Sequence, residues 1–341
     1  MLAAGRLVPR LVHYHQERLR TRLHTAVTES CEPEKYYDVD YARKFSSNPA
    51  TLVRLASPDG SNQWERVLKA KCEGPIEVQY CFSGGAEVEL ACLEAVKSDP
   101  HFMQLERAFR FLHRGLPAIG LVMELFEDSL SAFCGDRARA VSSSSSVSYS
   151  SSSVNLANGQ NGRGLTDSEI KEIAAQILTC LAKLREKGYA HLDVKEDNIF
   201  IRKDPPGIKL ALGDFGTSVR GQYSAAYVGT VAYMPPEILD PASAGKLYNS
   251  HAADLYAAGT TIYSVVTGHG PFSHRLFPGG TTDPANSAEE ERLVAIELAL
   301  KKSGDWNQLR DLLGRLLAPN PAARGTIQSA LNHPFFLPGN R

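Results

Sequence analysis

Residues 189–201 read YAHLDVKEDNIFI and residues 212–216 read LGDFG. Asp193, Lys195 and Asn198 stand within six positions of one another, two apolar β-type runs follow, and Asp214 comes directly after them. A carboxylate, an ammonium and an amide on one loop, joined by a second carboxylate, can align a hydroxyl nucleophile, a transferring phosphoryl group and a metal ion. Asp214 taken alone reads as a turn aspartate. The two segments at this spacing favour chemistry over that plainer account.

N-terminal to the loop, Thr166-Asp-Ser-Glu169 has the form of a capping box. It opens a helix whose Ile170, Ile173, Ala174, Ile177, Leu181 and Leu184 share one face. Ahead of it, SSSSSVSYSSSS (142–153) runs on into NLANGQNGRG with nothing to bury, which predicts a disordered insertion over about 136–165, a tolerated solvated loop or a phosphorylated one. From about Tyr36 to Met123 come short β-type runs at 50–56, 65–72, 76–82 and 118–124, with AEVELACLEAVKS (86–98) reading as a helix buried on much of its surface. After the loop, apolar helical patterns recur at about 250–267, 289–301, 306–317 and 325–331, with no internal repeat. A small β-rich half followed by a larger α-rich half is expected, an α+β chain.

The chain has 341 residues, 43% hydrophobic and 22% charged. That is room for about two domains or one two-lobed unit, in globular proportions that exclude a disulfide scaffold or global disorder. Thirty-seven basic against thirty-eight acidic residues leave a net charge of −1, without the basic excess that nucleic acid attracts. Six cysteines at irregular spacings, with no CxxC, read as scattered buried thiols. No window reaches the ~18 apolar residues of a membrane span, and the first thirty residues carry no signal-type apolar core. A cytoplasmic location is the default expectation. Residues 6–27, RLVPRLVHYHQERLRTRLHTAV, form a basic amphipathic pattern weakened at its start by Pro9. Such a helix packs on the domain or extends from it; peripheral membrane contact or organelle targeting is the alternative.

The loop and the LGDFG segment resemble the catalytic and metal-binding loops of the protein kinase superfamily. GTVAYMPPE (229–237), DLYAAG (254–259), NPAARGT (320–326) and ALNHPFF (330–336) follow in that family's order, so the resemblance covers about residues 36–337. It implies a two-lobed kinase fold: a basic extension at 1–35, an N-lobe at 36–124, a C-lobe at 125–337 carrying the insertion, and a tail at 338–341. Asp193 would orient the substrate hydroxyl and accept its proton, and Lys195 would touch the γ-phosphate of ATP. Asn198 and Asp214 would hold Mg²⁺. Glu237 would pair with Arg324 to fix the substrate platform, and Asp254 would brace the loop. Lys195 together with Thr230 resembles serine/threonine rather than tyrosine kinases, with protein hydroxyls as substrate. Aminoglycoside-type phosphotransferases share a loop of this kind but typically lack the DFG and PPE segments.

In the expected N-lobe, ERVLKAKC offers Lys69 and Lys71 on the same face of a strand as the lysine for the α- and β-phosphates. Alternation does not separate them; Val67 sits two before Lys69 as the family's small residue sits two before its lysine, so the resemblance favours Lys69. Glu89, whose Leu93 one turn on matches the family's E-x-x-x-L spacing, is the partner the resemblance implies, with Glu87 the runner-up. LVMELFE (121–127) resembles the hinge, with Met123 at the gatekeeper place and Glu124 to Phe126 offering backbone groups to adenine.

Two departures stand out. In FSSNPATLVRL (45–55), Ser46, Asn48 and Thr51 occupy the places of the family's phosphate-loop glycines, and Pro49 has no N–H. That is similar to a group of secreted apicomplexan parasite kinases, some of them pseudokinases, which would place the protein in the vacuole surrounding the parasite. Leu192 replaces the arginine that usually captures an activation-loop phosphate. Activity without phosphorylation at Thr217, Ser218, Tyr223, Ser224 or Tyr227 is therefore expected. The competing class is a pseudokinase or scaffold that uses the fold for protein binding.

Overall fold

In the computed structural model of the chain, the described residues are 39–40, 51–56, 64–72, 86–113, 116–126, 128–144, 164–204, 207–268 and 304–337. They fall into two units: residues up to Leu125 with Asp214–Ser218, and Phe126–Gly213 with Val219 onward.

The first unit is an antiparallel sheet with one helix. Strands β1 (Val39–Asp40), β2 (Thr51–Ala56), β3 (Trp64–Cys72), β4 (Leu105–His113) and β5 (Leu116–Glu124) lie in the order β1-β2-β3-β5-β4. Aliphatic runs set the middle of this sheet: Ile119, Leu121 and Val122 of β5 are buried, as fits strands covered by packing. Strand β4 escapes the sequence reading because Glu106, Arg107 and Arg110 interrupt its apolar residues and its register shifts between Leu105 and Arg107. Phe109 and Leu105 are its buried anchors. Helix α1 (Ala86–Ala95) buries Leu90, Cys92 and Leu93. It stops before the predicted end, and Ser98 in the turn beyond takes a positive φ of 68°. The expected strand at 76–82 lies outside the described residues.

Asp214–Ser218 were expected in the second lobe by chain order, and the structure places them with the first unit. The reasons are an ion pair from Asp214 to Lys69 and the packing of the Phe215 ring on Phe102, with centroids 6.1 Å apart.

The second unit is mostly helical. Strand β6 (Asp128–Ser129) leads into α2 (Leu130–Ser144), and α3 (Asp167–Glu186) starts at the expected capping box. Thr166 Oγ1 accepts from the Glu169 N–H at 3.3 Å, and Glu169 Oε2 accepts from the Thr166 N–H at 2.8 Å. All six residues of the predicted α3 face are buried. At roughly 1.5–3 kcal/mol for each large aliphatic side chain, that burial outweighs intrinsic propensity in making the helix.

The two ends of the stretch 136–165, expected as a disordered insertion, are ordered in the structure. Helix α2 continues through Ser144, and Leu165 is fully buried. Arg137 supplies the tether: it donates to Glu169 and to the Gly164 carbonyl, and its guanidinium lies 5.2 Å from the Phe133 ring. A composition-based reading of serines misses such contacts from neighbouring residues. Residues 145–163, the basic stretch 6–27 and the helix expected at 289–301 lie outside the described residues.

Next come β7 (Tyr189–Ala190), the hairpin β8 (Ile199–Asp204) and β9 (Gly207–Leu212), β10 (Val219–Arg220), β11 (Tyr223–Ser224), α4 (Pro236–Leu239) and β12 (Tyr248–Asn249). Helix α5 (Ser250–Thr267) is buried along almost its whole length and is the axis of the unit. A Cβ on Gly259 would lie 2.8 Å from Leu316 of α6 (Gly304–Leu316), so glycine allows the two helices to approach. Helix α7 (Ile327–Leu331) completes the unit. Among the described residues no helix is long and apolar enough to cross a membrane, and Cys92, Cys134 and Cys180 are buried.

Candidate active site

In the first unit the site is built around one buried cation. Strand β3 is hydrogen-bonded on both sides, setting Lys69 opposite Leu52 of β2 and Leu121 of β5. Its Nζ lies 2.7 Å from Glu89 Oε1 on α1 and 2.5 Å from Asp214 Oδ1. Burial by itself pushes the Lys69 ammonium down, but the carboxylates of Glu89 and Asp214 outweigh it and hold the group above the ordinary lysine value. An ammonium has three donors, and these two carboxylates take two of them. Lys71 follows on the same strand, opposite Ile119. Asp214 sits in the left-handed region, with φ 56° and ψ 69°, and accepts from the Gly216 N–H. Strain of this kind is tolerated where neighbours over-determine it.

Met123 is buried at the end of β5, between Val67 and Leu105. The Glu124 N–H donates to the Gln104 carbonyl at 3.3 Å, and its carboxylate accepts from the Gln104 N–H at 3.1 Å. That N–H is therefore engaged within the unit. Phe126, counted with the second unit, packs on Phe200 and beneath the Arg202 guanidinium.

In the second unit the loop after β7 is held by its backbone. Asp254 on α5 accepts from the His191 N–H and the Leu192 N–H, both at 2.8 Å. Its burial raises the carboxyl to about 6, and the nearby His191 with these two N–H bonds acts in the opposite direction. The fully buried His191 accepts from the Asp193 N–H at Nδ1, which leaves Nε2 to donate to the Gly213 carbonyl at 2.9 Å.

These bonds present Asp193 with both oxygens engaged. Oδ1 accepts from the Thr230 N–H at 2.8 Å, and Oδ2 accepts from Asn198 Nδ2 at 2.9 Å. Lys195 Nζ lies 3.0 Å from Asp193 Oδ2 and donates to Thr230 Oγ1 at 2.7 Å. Asn198 Nδ2 also reaches the Asp193 carbonyl, so its amide donors turn inward and its Oδ1 is the oxygen left for a cation. Gly229 is required beside this cluster: it has φ 106°, and a Cβ there would stand 2.2 Å from the Leu192 carbonyl oxygen.

Leu192 takes φ 63° and buries its side chain with Ala190, Val228, Met234, Ile238 and Ala253. Arg324 makes a two-point contact with Glu237, at 2.6 and 2.7 Å, and its remaining donors reach the carbonyls of Ala252, Ala318 and Pro319. Of the expected phosphate-loop positions, Thr51 lies on β2 opposite Ala70, while Ser46, Asn48 and Pro49 lie outside the described residues.

Sequence reasoning misses His191, Gly229, Thr261 and Tyr248. His191 had a signal, two positions before Asp193. Thr261, which donates to the Ala257 and Val194 carbonyls, had none, because it works across the fold.

Comparison with known proteins agrees with this geometry. Residues 147–336 match the protein kinase domain, and the chain belongs to that family. It is 32% identical over 176 residues to the serine/threonine-protein kinase RAD53 of Saccharomyces cerevisiae, covering 48% of this chain and 21% of that protein. It is 28% identical over 181 residues to the calcium/calmodulin-dependent protein kinase cmkB of Emericella nidulans, covering 50% of this chain and 41% of that one. Identity is 27% over 186 residues to the human phosphorylase b kinase gamma catalytic chain of the liver/testis isoform, with 50% and 41% covered. The chain thus spans between about a fifth and two fifths of these relatives' length.

Proposed function

We propose that this chain is a protein serine/threonine kinase that transfers the γ-phosphoryl group of ATP to a protein hydroxyl. The observation that carries this reading is Asp193, braced at both oxygens by the Thr230 N–H and the Asn198 amide, with Lys195 bridging from Asp193 to Thr230. A carboxylate so held can orient an incoming hydroxyl and accept its proton as the new O–P bond forms. The Lys195 ammonium beside it offsets charge on the transferring group. Lys69 is the lysine for the α- and β-phosphates. It is already charged, and among the described residues Glu89 and Asp214 accept two of its three N–H groups.

Mg²⁺ fits the donor chemistry: Asp214 and Asn198 would each offer it a hard oxygen. When bound it would neutralise phosphate charge.

Transfer needs no phosphate on the activation segment. Leu192 makes an apolar contact where a phosphate-capturing arginine would need its counter-charge, and the cluster around it closes residues 226–239 onto the loop. Phosphatase-treated protein should transfer at the same rate as untreated protein. Transfer from labelled ATP with Mg²⁺ to a basic protein should fall by ~10²–10⁴-fold in Asp193→Ala. No difference between that variant and the parent would overturn the reading.

The sequence around Ser46, Asn48 and Pro49 favours a second reading, a scaffold with weak nucleotide binding. Absence of transfer at millimolar ATP from folded protein would select it. The same loss of glycines supports likeness to secreted parasite kinases. Residues 6–27 supply a candidate membrane contact, which co-sedimentation with anionic vesicles, with and without residues 1–35, would test.

A further inference from the structure

The segment that carries Thr230 to Asp193 is anchored step by step to the start of α5. Val219 and Arg220 pair with Ala190 and Tyr189, and the Gly221 N–H donates to the Gly188 carbonyl at 2.9 Å. Ser250 then takes two consecutive carbonyls. Its Oγ donates to Gly221 at 2.9 Å and its N–H to Gln222 at 2.8 Å. Tyr223 and Ser224 pair with Asn249 and Tyr248 as a short ribbon. Beyond the ribbon, the Tyr248 hydroxyl donates to the Ala226 carbonyl at 2.6 Å, and Ser224 Oγ accepts from the Ala226 N–H at 3.0 Å. Both polar backbone groups of Ala226 are therefore satisfied by side chains. Four residues later Thr230 reaches Asp193 and Lys195.

We propose that Tyr248 is a positioning residue for phosphoryl transfer: its hydroxyl clamps Ala226 so that Thr230 is presented to Asp193 with the segment unphosphorylated. This rests on the kinase reading and names the device by which the segment is ordered. Three features single out Tyr248 from the other anchors. Its ring packs against the apolar cluster of Leu192, Val228 and Met234, so the hydroxyl is aimed by a fixed body. Its bond falls where the ribbon has ended and before Val228 is buried, a stretch with no other anchor on the Ala226 carbonyl among the described residues. On either side of that bond the chain turns outward, with Tyr223 and Tyr227 about 60% exposed. Burial, the largest influence, pushes the phenol up to about 12, so it stays a donor at any working pH.

Tyr248→Phe keeps the ring and removes the hydroxyl, with its bond to the Ala226 carbonyl and its contact with the Ser224 side chain. Losing one such hydrogen bond should speed amide exchange across residues 223–230 by about fivefold. KM for the protein substrate should rise by a similar factor, while KM for ATP and the thermal midpoint stay near the parent's. Ser250→Ala in the same background should extend the faster exchange toward Gly221. A Phe variant with parent-like exchange over 223–230 overturns the proposal. So does one whose midpoint falls while its protein KM is unchanged, since that marks a purely structural tyrosine. Exchange is read without turnover, so it decides the clamp even if the parent transfers no phosphate, the outcome that would instead sink the kinase reading.

Discussion

Lys69 and Arg324 are both buried cations held by carboxylates, yet the two units use them differently. Each of Arg324's five N–H groups has a protein acceptor: two go to Glu237 and one each to Ala252, Ala318 and Pro319. Its guanidinium also lies 5.0 Å from the Tyr256 ring. Nothing is left for a ligand, and the group acts as a lock between α4, the start of α5 and the segment before α7. Lys69 is one positive charge against two carboxylates from distant parts of the chain. A point charge on a flexible stem can be shared with phosphate, and a fork with all its donors occupied cannot.

That contrast breaks most visibly at the lock. Arg324→Ala leaves Glu237 and three carbonyls without their donor and should lower unfolding stability by about 3–5 kcal/mol, as read by urea denaturation. Arg324→Lys should recover only part of this, because an ammonium cannot serve the same five acceptors. Full recovery would show that charge alone matters at Glu237. At the other cation, Lys69→Met should lower transfer by about 10²-fold with a smaller loss of stability. A larger stability loss than Arg324→Ala would reverse the comparison.

The smallest effect is a pH effect at Asp254. Its carboxyl is raised to about 6 in the folded protein, against 3.8 for a solvated aspartate. Above pH 6 the buried charge costs stability, and that cost is relieved as pH falls through 6 toward 4, where the folded form holds the proton and the unfolded form does not. The same protonation removes the charge that orients the His191 and Leu192 N–H groups. Transfer should therefore decline as pH falls through about 6 while Asp254's own contribution to stability improves. Carbon-13 NMR of its carboxyl should titrate with that midpoint. A midpoint near 4 would show that the two N–H bonds outweigh burial.

Short-range signals carried much of the fold. The capping box at Thr166, the buried face of α3 and the apolar run of α5 are each readable within one helix, because periodicity and end-capping are local. Six positions likewise hold Asp193, Lys195 and Asn198, so the loop's chemistry could be read before any fold was known. Strand β4 was missed because its charged residues hide an alternation that a neighbouring strand completes. Helix α2 was cut short because Arg137's partners, Gly164 and Glu169, lie across the serine tract.

What the sequence alone determined is therefore the family, the order of its segments and the residue types available for phosphoryl transfer. Tertiary structure alone decided which groups meet. Lys69 finds Asp214 across 145 positions, Arg324 finds Glu237 across 87, and Asp254 finds Leu192 across 62. It also made Tyr248 an anchor and drew Asp214–Ser218 to the first unit. The physical reason is that periodicity and capping act within a few residues. Burial and charge pairing act through space, and the chain brings such partners together only once its core has formed.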